Sequence, residues 1–482
     1  MENRLKDKAV SGALWKTTER VVGQIVHFAV GIVMARLLDP SDYGTVGLLA
    51  IFFALASTFQ DSGFGTALVQ KKDRVKEDYS TVFVFSVIAS LFIYVIFFFS
   101  APFIAEFYNV PILTDITRVS ALSFIIGGLT SVQYAKLNID LNFKFMSIMS
   151  ILGLCISAVT GIVMALGGWG VWALVWQGII SSAITGVVIW FSSGWYPSFV
   201  FSKKSFRQLF SFGWKLTTAN IITTIYNNLY TLVIGKVFSP TLVGHYNRAN
   251  GYAQMPMNIV NSLSMGVNFP ILAKIQDDNE RLRKVYTKLM KVPMYVLYPI
   301  LIGLIILAEP LVIVLIGEKW LPCVPMLQIL CVGYMFMPLS NANLSLILVK
   351  GRTDLTLKME LIKKPFAFFI LFVSIPFGII WMVAGRALYS VLVFFYNSYY
   401  TKKILNYGWK EQLVALLPIY RNVIIMAIFV YTSISFIDSN PIKLIVGIIV
   451  GMASYIATSI LLHDESYHEV KNILMTKIIH HK

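Results

Sequence analysis

Trp15-Lys16-Thr17-Thr18-Glu19-Arg20-Val21-Val22-Gly23-Gln24-Ile25-Val26-His27 opens a run that stays apolar until Arg36-Leu37-Leu38-Asp39-Pro40 and closes at Gly44. A second run begins Trp214-Lys215-Leu216-Thr217-Thr218, carries Asn220, Thr224 and Asn227, and ends Lys236-Val237-Phe238-Ser239-Pro240 before Gly244. Adding 200 takes Thr17 to Thr217, Thr18 to Thr218, Arg36 to Lys236, Pro40 to Pro240 and Gly44 to Gly244. Only the Trp-Lys pair is one residue out of step, which a single small insertion explains. A repeat this long points to two similar helical bundles, not to a solenoid of short units.

Outward from these runs the composition is that of a membrane protein. Of 482 residues 57% are hydrophobic and 13% charged, and stretches long enough to cross a bilayer recur throughout. Apolar runs between polar breaks give fourteen spans, near 14–37, 43–60, 79–103, 115–134, 146–166, 169–192, 208–238, 241–264, 288–316, 323–349, 360–378, 380–400, 416–436 and 441–462. The fold expected is therefore an all-α polytopic membrane protein. Lys and Arg outnumber Asp and Glu by 40 to 24. They gather in alternate connections: Lys71, Lys72, Arg74 and Lys76; Lys136 and Lys144; Lys203, Lys204 and Arg207; Arg281, Arg283 and Lys284; Lys350, Arg352 and Lys358; Lys402, Lys403 and Lys410. Such alternation is positive-inside topology with both termini cytoplasmic, and it removes nucleic acid as the reason for the excess. The polar first eight residues lead into no cleavage pattern, so no removable signal peptide is expected.

Six spans separate the two copies, so both run in the same direction. The expected organisation is an N-lobe over 1–200 (spans one to six) and a parallel C-lobe over 201–405 (spans seven to twelve). Two extra spans over 406–462 and a cytoplasmic tail over 463–482 follow. No segment outside the spans is long enough to hold a soluble catalytic core. The tail alternates charge with Val470, Ile473, Leu474 and Ile478, the pattern of a short interfacial helix.

Polar residues recur at helical spacing inside three spans. They are Thr17, Arg20, Gln24, His27 and Gly31 in the first; Thr217, Asn220, Thr224, Asn227, Thr231 and Gly235 in the seventh; and Asn247, Gly251, Gln254, Asn258 and Asn261 in the eighth, beside Arg248. Hydrocarbon satisfies none of their donors, so these faces either bond to one another between helices or line a water-filled cavity. Arg20, Arg118, Arg248 and Arg386 fall inside spans, where each costs about 2.5–3.5 kcal/mol at mid-bilayer. Asp61 and Glu19 are the nearest acidic candidates for them. Arg118 and Arg386 enter from the outer side, where the alternative is snorkelling to the interface. A guanidinium fork matches phosphate oxygens, so a cationic cavity suits a phosphate-bearing cargo.

Other signals are weaker. Cys155, Cys323 and Cys331 are isolated and build neither a disulfide framework nor a zinc site. His463, Asp464, His468 and Glu469 have loosely metal-like spacing, with a charged tail as the plainer reading. Gly447 and Gly451 form a small-residue face for close packing. Gly167-Gly168-Trp169-Gly170 reads as a tight turn. The chain has no phosphate-binding glycine loop for ATP hydrolysis.

Several stretches resemble the Wzx-type polysaccharide transporters, the lipid-linked oligosaccharide flippases of the MOP superfamily. They are Ala35-Arg36-Leu37-Leu38-Asp39-Pro40-Ser41-Asp42-Tyr43-Gly44, Phe59-Gln60-Asp61-Ser62-Gly63-Phe64-Gly65-Thr66-Ala67-Leu68-Val69-Gln70 and Gly168-Trp169-Gly170-Val171-Trp172-Ala173-Leu174-Val175, then Gly244-His245-Tyr246-Asn247-Arg248-Ala249 and Gly317-Glu318-Lys319-Trp320-Leu321-Pro322. The resemblance is greatest to the fourteen-span members that export colanic or teichuronic acid-like polymers. It implies a non-enzymatic flippase of the bacterial inner membrane. Such a protein carries undecaprenyl-pyrophosphate-linked oligosaccharide from the cytoplasmic to the periplasmic leaflet by alternating access, through two six-helix lobes around a cationic cavity. It also implies membrane lipids, a polysaccharide polymerase and assembly proteins as partners. It names no cofactor and leaves H+ and Na+ open as coupling ions. Under this expectation Arg20 and Arg248, with Arg118 and Arg386, hold the pyrophosphate. Gln24, His27, Asn220, Thr224, Asn227, Gln254 and Asp61 meet sugar and water. Rival expectations are a multidrug antiporter or lipid II flippase of the same superfamily, and a membrane polymerase or ligase. The antiporter should want buried carboxylates, of which the spans are short; the polymerase or ligase should want a long outer loop, which is missing.

Overall fold

A computed structural model of the chain describes residues 2–61, 63–198, 200–264 and 268–479. Among these residues there are only helices and connections, with no strand, as a membrane demands of a chain whose backbone groups must bond within each segment. The helices form two compact units, Met1–Gly244 and His245–Lys482.

The first unit begins with α1 (Glu2–Leu37), then α2 (Pro40–Leu48), α3 (Ala50–Asp61) and α4 (Phe64–Gln70), followed by α5 (Lys76–Tyr108). Next come α6 (Leu113–Ser120), α7 (Leu122–Ile139), α8 (Phe143–Leu166), α9 (Val171–Ser192) and α10 (Lys203–Val237). α11 (Pro240–Ser264) starts at the end of this unit and runs into the next. The second unit continues with α12 (Asn268–Lys274), α13 (Asn279–Ile306), α14 (Ala308–Ile316), α15 (Cys323–Val349) and α16 (Thr353–Ser374). It ends with α17 (Ile379–Leu405), α18 (Trp409–Ser435), α19 (Asn440–Leu461) and α20 (Glu465–Ile479). Each apolar stretch read from the sequence falls on one helix or on a broken pair. Among the described residues nine helices are long and apolar enough to cross a membrane, or ten if the bent pair beginning at Pro40 is one span. The chain is a multi-pass membrane protein.

α5 shows how such helices sort their faces. Phe92, Phe99 and Phe103 are 65%, 69% and 71% exposed, on the side free for lipid, while Ser86, Ser90, Phe97 and Ala101 are buried. Small residues let backbones approach without a hydrophobic driving force. A methyl group on Gly128 of α7 would strike the Ser90 hydroxyl.

The repeated Pro-x-x-x-Gly segments meet within the first unit. Pro40 takes the first position of α2, and Pro240 begins α11 in the same way, where a missing N–H costs nothing. Gly44 and Gly244 lie against each other's segment. A methyl on Gly44 would overlap the carbonyl oxygen of Pro240, and one on Gly244 would overlap that of Pro40. No side chain fits at either position.

The glycines around Trp169 make the expected turn, with Gly168 and Gly170 at φ of 77° and 51°. Gly447 and Gly451 face Leu307 and Val430, which is close packing of α19. The tail is helical, as expected, but it is docked and not loosely charged. Asp464 is buried, accepts a hydrogen bond from Asn422 Nδ2 at 2.9 Å, and caps α20 through Ser466 N–H at 2.8 Å. Lys288 pairs with Glu469 at 2.9 Å. Within 463–469, Asp464 thus serves as a helix cap and Glu469 as an ion-pair partner.

Candidate functional site

In the first unit the polar row of α1 lies on one face, because the helix is continuous from Glu2 to Leu37. Further along the same row Met34, with Leu38 just past the end of the helix, is buried in a cluster with Ala165 and Ala173. Thr17, Arg20 and His27 are exposed and Gln24 is half-buried. Arg20, Gln24 and His27 form no hydrogen bond or ion pair with any described residue. Glu19 is not the counter-charge to Arg20. It accepts from Lys16 Nζ at 3.0 Å and from the Ser147 hydroxyl at 2.8 Å, which fastens α1 to α8. Asp61, the last residue of α3, is exposed and likewise makes no ion pair with a described residue. The acid-to-arginine pairing considered from sequence is corrected on both counts.

The stripe of α10 divides. Thr224 is half-buried and shares a hydroxyl hydrogen bond with Thr58 of α3 at 3.2 Å, so this residue joins helices. Thr217 turns its hydroxyl back to Gly213 O at 3.1 Å, and Gly235 is buried against Leu48. Asn220 and Asn227 are exposed and have no partner among the described residues. Bare carboxamides on a helix of a membrane protein need water or a ligand, since each unmet donor costs about 1–3 kcal/mol. Arg118, in the last turn of α6, lies 4.4 Å over the Phe98 ring and donates from Nε to Phe98 O at 3.2 Å. It is held against the neighbouring helix.

The second unit gathers the other two arginines among aromatic rings. Arg386 of α17 donates to the hydroxyl of Tyr246 on α11 and, at 3.3 Å, to that of Tyr334 on α15. Tyr334 in turn donates to Asn250 Oδ1 at 2.9 Å. Arg248, one turn after the start of this unit, is half-buried 5.2 Å over the Trp320 ring and 5.9 Å over Tyr252. Trp320 itself is fully buried and meets His245 edge-on at 5.6 Å. Ring faces and phenol oxygens accommodate a guanidinium where water is scarce, at about 2 kcal/mol for a desolvated cation–π contact. Gln254 is half-buried without a partner among the described residues, and Asn258 is exposed. The side chain of Asn261 lies outside the described residues.

Sequence reading missed Tyr246, Trp320 and Tyr334, since aromatic residues in an apolar chain look like core, and it missed Asn250. A signal was available for Asn250, three residues after Asn247 and four before Gln254 on the polar stripe, and for Tyr246 beside it. Among the described residues no three His, Cys, Asp or Glu side chains gather as a metal site, and all three cysteines are free thiols. Each unit thus carries hydrogen-bond donors and positive charge on its helices: Arg20, Gln24, His27, Asn220 and Asn227 in the first, Arg248, Gln254 and Arg386 in the second.

Comparison with known proteins agrees with this architecture. The chain is 28% identical over 351 residues to the teichuronic acid biosynthesis protein TuaB of Bacillus subtilis, covering 72% of each. It is 27% identical over 365 residues to the lipopolysaccharide biosynthesis protein WzxC of Escherichia coli, covering 74% of this chain and 73% of the relative. Its fold resembles that of the lipid II flippase MurJ in an inward closed conformation, with a TM-score of 0.75 at 16% identity over 94% of this chain and 99% of that one. The model of the polysaccharide biosynthesis proteins matches residues 33–325, more than half of the chain, and the chain belongs to that family.

Proposed function

We propose that this protein is a flippase that moves a lipid-linked oligosaccharide across the bacterial cytoplasmic membrane for surface polysaccharide assembly. The observation that carries the reading is the polar row Arg20, Gln24 and His27 on a spanning helix, which has no hydrogen bond or ion pair among the described residues. It is joined by the bare Asn220 and Asn227 of the corresponding helix 200 residues on. Groups of this kind are retained in apolar segments where a polar cargo passes. Family membership supplies polysaccharide biosynthesis as the setting. The substrate in this reading is undecaprenyl-pyrophosphate-linked oligosaccharide, with its tail in the lipid and its head group in a polar path.

Translocation makes and breaks no covalent bond, so the protein is not an enzyme. Its work is to lower the cost of carrying charge and hydroxyl groups through hydrocarbon. Arginine matches pyrophosphate oxygens bidentately, and carboxamides replace water around sugar hydroxyls. Alternating access then presents the head group to one side and afterwards to the other, at the bias set by differential binding. The two parallel repeats, fourteen spans and cytoplasmic termini expected from sequence belong to this proposal. So do a partnership with polymerase and assembly proteins and coupling to H+ or Na+. A multidrug antiporter fits less well, because the stripes on α1 and α10 present amides and a guanidinium where a cationic drug wants carboxylates.

The test is export in cells lacking the wild-type gene. Arg248→Ala, Arg248→Lys and Arg20→Ala variants that reach the membrane in normal amounts should accumulate lipid-linked oligosaccharide on the cytoplasmic leaflet. Lysine should not rescue, because a point charge lacks the fork. Normal polymer export by all three would remove the arginines from the path.

A further inference from the structure

The connection between α9 and α10 is fastened to α5 and turns a basic face outward. Ser198 and Ser80 share a hydroxyl hydrogen bond at 2.6 Å, and Ser202 N–H donates to Thr81 Oγ1 at 3.0 Å. Trp195 packs against Phe83 with ring centroids 5.7 Å apart. Ser202 caps α10 by accepting from Ser205 N–H at 3.3 Å. These anchors fix the first turns of α10, where Ser205 and Leu209 point inward and Lys203, Lys204, Arg207, Gln208 and Ser211 are exposed. Those five exposed residues alone line an open hollow of about 580 Å³.

Two features set this face apart from an ordinary solvated charge run. First, its charge is uncompensated. No acidic residue stands in the first turn of α10, and Lys203, Lys204 and Arg207 form no ion pair with a described residue. Asp78 is turned inward instead, fully buried against Lys71 at 2.8 Å. Three cations at the positive end of a helix are in the less favourable place for them, and a bound anion reverses that. Second, apolar side chains stand out beside the cations. Val200, Phe201 and Phe210 are 48%, 46% and 44% exposed. A free aqueous anion gives these rings nothing, whereas a lipid supplies phosphate and hydrocarbon together.

We propose that Lys203, Lys204 and Arg207, flanked by Val200, Phe201 and Phe210, form a binding site for the phosphate-bearing head group of an anionic membrane lipid. The occupant is resident lipid, not cargo, so the site stands or falls independently of the flippase reading. Charge contributes roughly fivefold in affinity for each basic residue near an anionic surface, which makes the three together worth on the order of 100-fold. The attraction weakens with salt, since the face is open to solvent.

The experiment is native mass spectrometry of the full chain in detergent, titrated with phosphatidylglycerol or with phosphatidylcholine. Wild type should retain phosphatidylglycerol preferentially, and the Lys203→Gln/Lys204→Gln/Arg207→Gln variant should lose that preference by about 100-fold. A Val200→Ser/Phe201→Ser variant should bind more weakly while keeping its selectivity for the anionic head group. Both variants are checked for folding by their thermal unfolding. Equal phosphatidylglycerol binding by wild type and the triple variant would overturn the proposal. So would full displacement of the lipid by millimolar inorganic phosphate, which would make this a site for free anions.

Discussion

Adding one methyl group at Gly44 should destabilise the protein, although the same change at an open helical position should stabilise it. Gly44 sits inside α2, where alanine has the higher helix propensity by about 1 kcal/mol. Against that gain stands the geometry. The new Cβ would overlap the carbonyl oxygen of Pro240 and lie 3.1 Å from the Gly244 nitrogen. These are backbone atoms at the start of α11, and they cannot swing aside as a side chain would. Overpacking costs about 1–3 kcal/mol when neighbours can shift a little; overlap with fixed backbone puts this case at the upper end, so after the propensity gain Gly44→Ala should lose a net ~2 kcal/mol. Gly303 of α13 is the control, because a Cβ there meets nothing within 4 Å; Gly303→Ala should gain about 0.5–1 kcal/mol. Gly244→Ala should mimic Gly44→Ala, since its methyl would overlap Pro40 O. The double variant should cost less than the sum, because segments already pushed apart leave room for the second methyl. Thermal unfolding in lipid nanodiscs, followed by circular dichroism, measures all four. A Gly44→Ala protein as stable as wild type, or additive costs in the double variant, would refute the claim that these glycines exist to let two backbones touch.

Two further outcomes test the polar anchors. Lys71→Met should destabilise by ~3 kcal/mol, because Asp78 has no side-chain exposure and would lose the ammonium 2.8 Å away; Lys71→Arg should recover most of it, and an unshifted unfolding midpoint in Lys71→Met would contradict the burial of that carboxylate. In the second unit Asn343 and Gln412 exchange two amide hydrogen bonds, at 3.0 and 2.7 Å, with both side chains wholly buried. Gln412→Leu alone should cost about 2 kcal/mol by stranding Asn343, and hydrogen exchange should speed up in α18. The Asn343→Leu/Gln412→Leu pair should cost less than the two single changes added, and strict additivity would count against the pair.

Much of the helical architecture could be read from the chain because one physical rule governs it. A span must be apolar for its length, and the register of 200 between Pro40 and Pro240 reappears as the first residues of α2 and α11. The breaks were harder to see. The second span bends by 41° between α2 and the helix after it, the fourth is divided at Ala121 and the ninth at Leu307. Hydropathy averages over such breaks, which are made by backbone angles and packing. The same averaging explains why α10 and α11 are not among the nine helices that qualify by length and hydropathy. The residues that lower their hydropathy include Asn220, Asn227, Arg248 and Gln254, the ones singled out as functional. The boundary between the compact units, at Gly244 and His245, also has a different meaning from the repeat boundary at 200. A repeat records a common pattern of residues, while a compact unit records contacts such as Thr58 with Thr224.

Arg118 and Arg386 show where a sequence stops being informative. Both enter spans from the same side by the charge pattern, and nothing local separates them. Arg118 has an aromatic ring and a carbonyl of the adjacent helix within reach, and it is satisfied by its immediate surroundings. Arg386 is met by hydroxyls from two other helices, one of which continues to Asn250. The difference comes from which helix lies opposite, a property of the packed unit that a single chain's spacing does not encode. The consequence is a rule for choosing substitutions. Tyr334→Phe removes one hydroxyl from Arg386 and one donor from Asn250 while keeping the ring, so it disturbs the arginine's setting without deleting the charge. At Arg118 the hydrogen bond cannot be removed this way, because its acceptor is the main-chain carbonyl of Phe98; only the ring contact can, by Phe98→Leu. The hydrogen-bond network around Arg386 can therefore be adjusted through its neighbours' side chains, whereas that of Arg118 survives any substitution but its own.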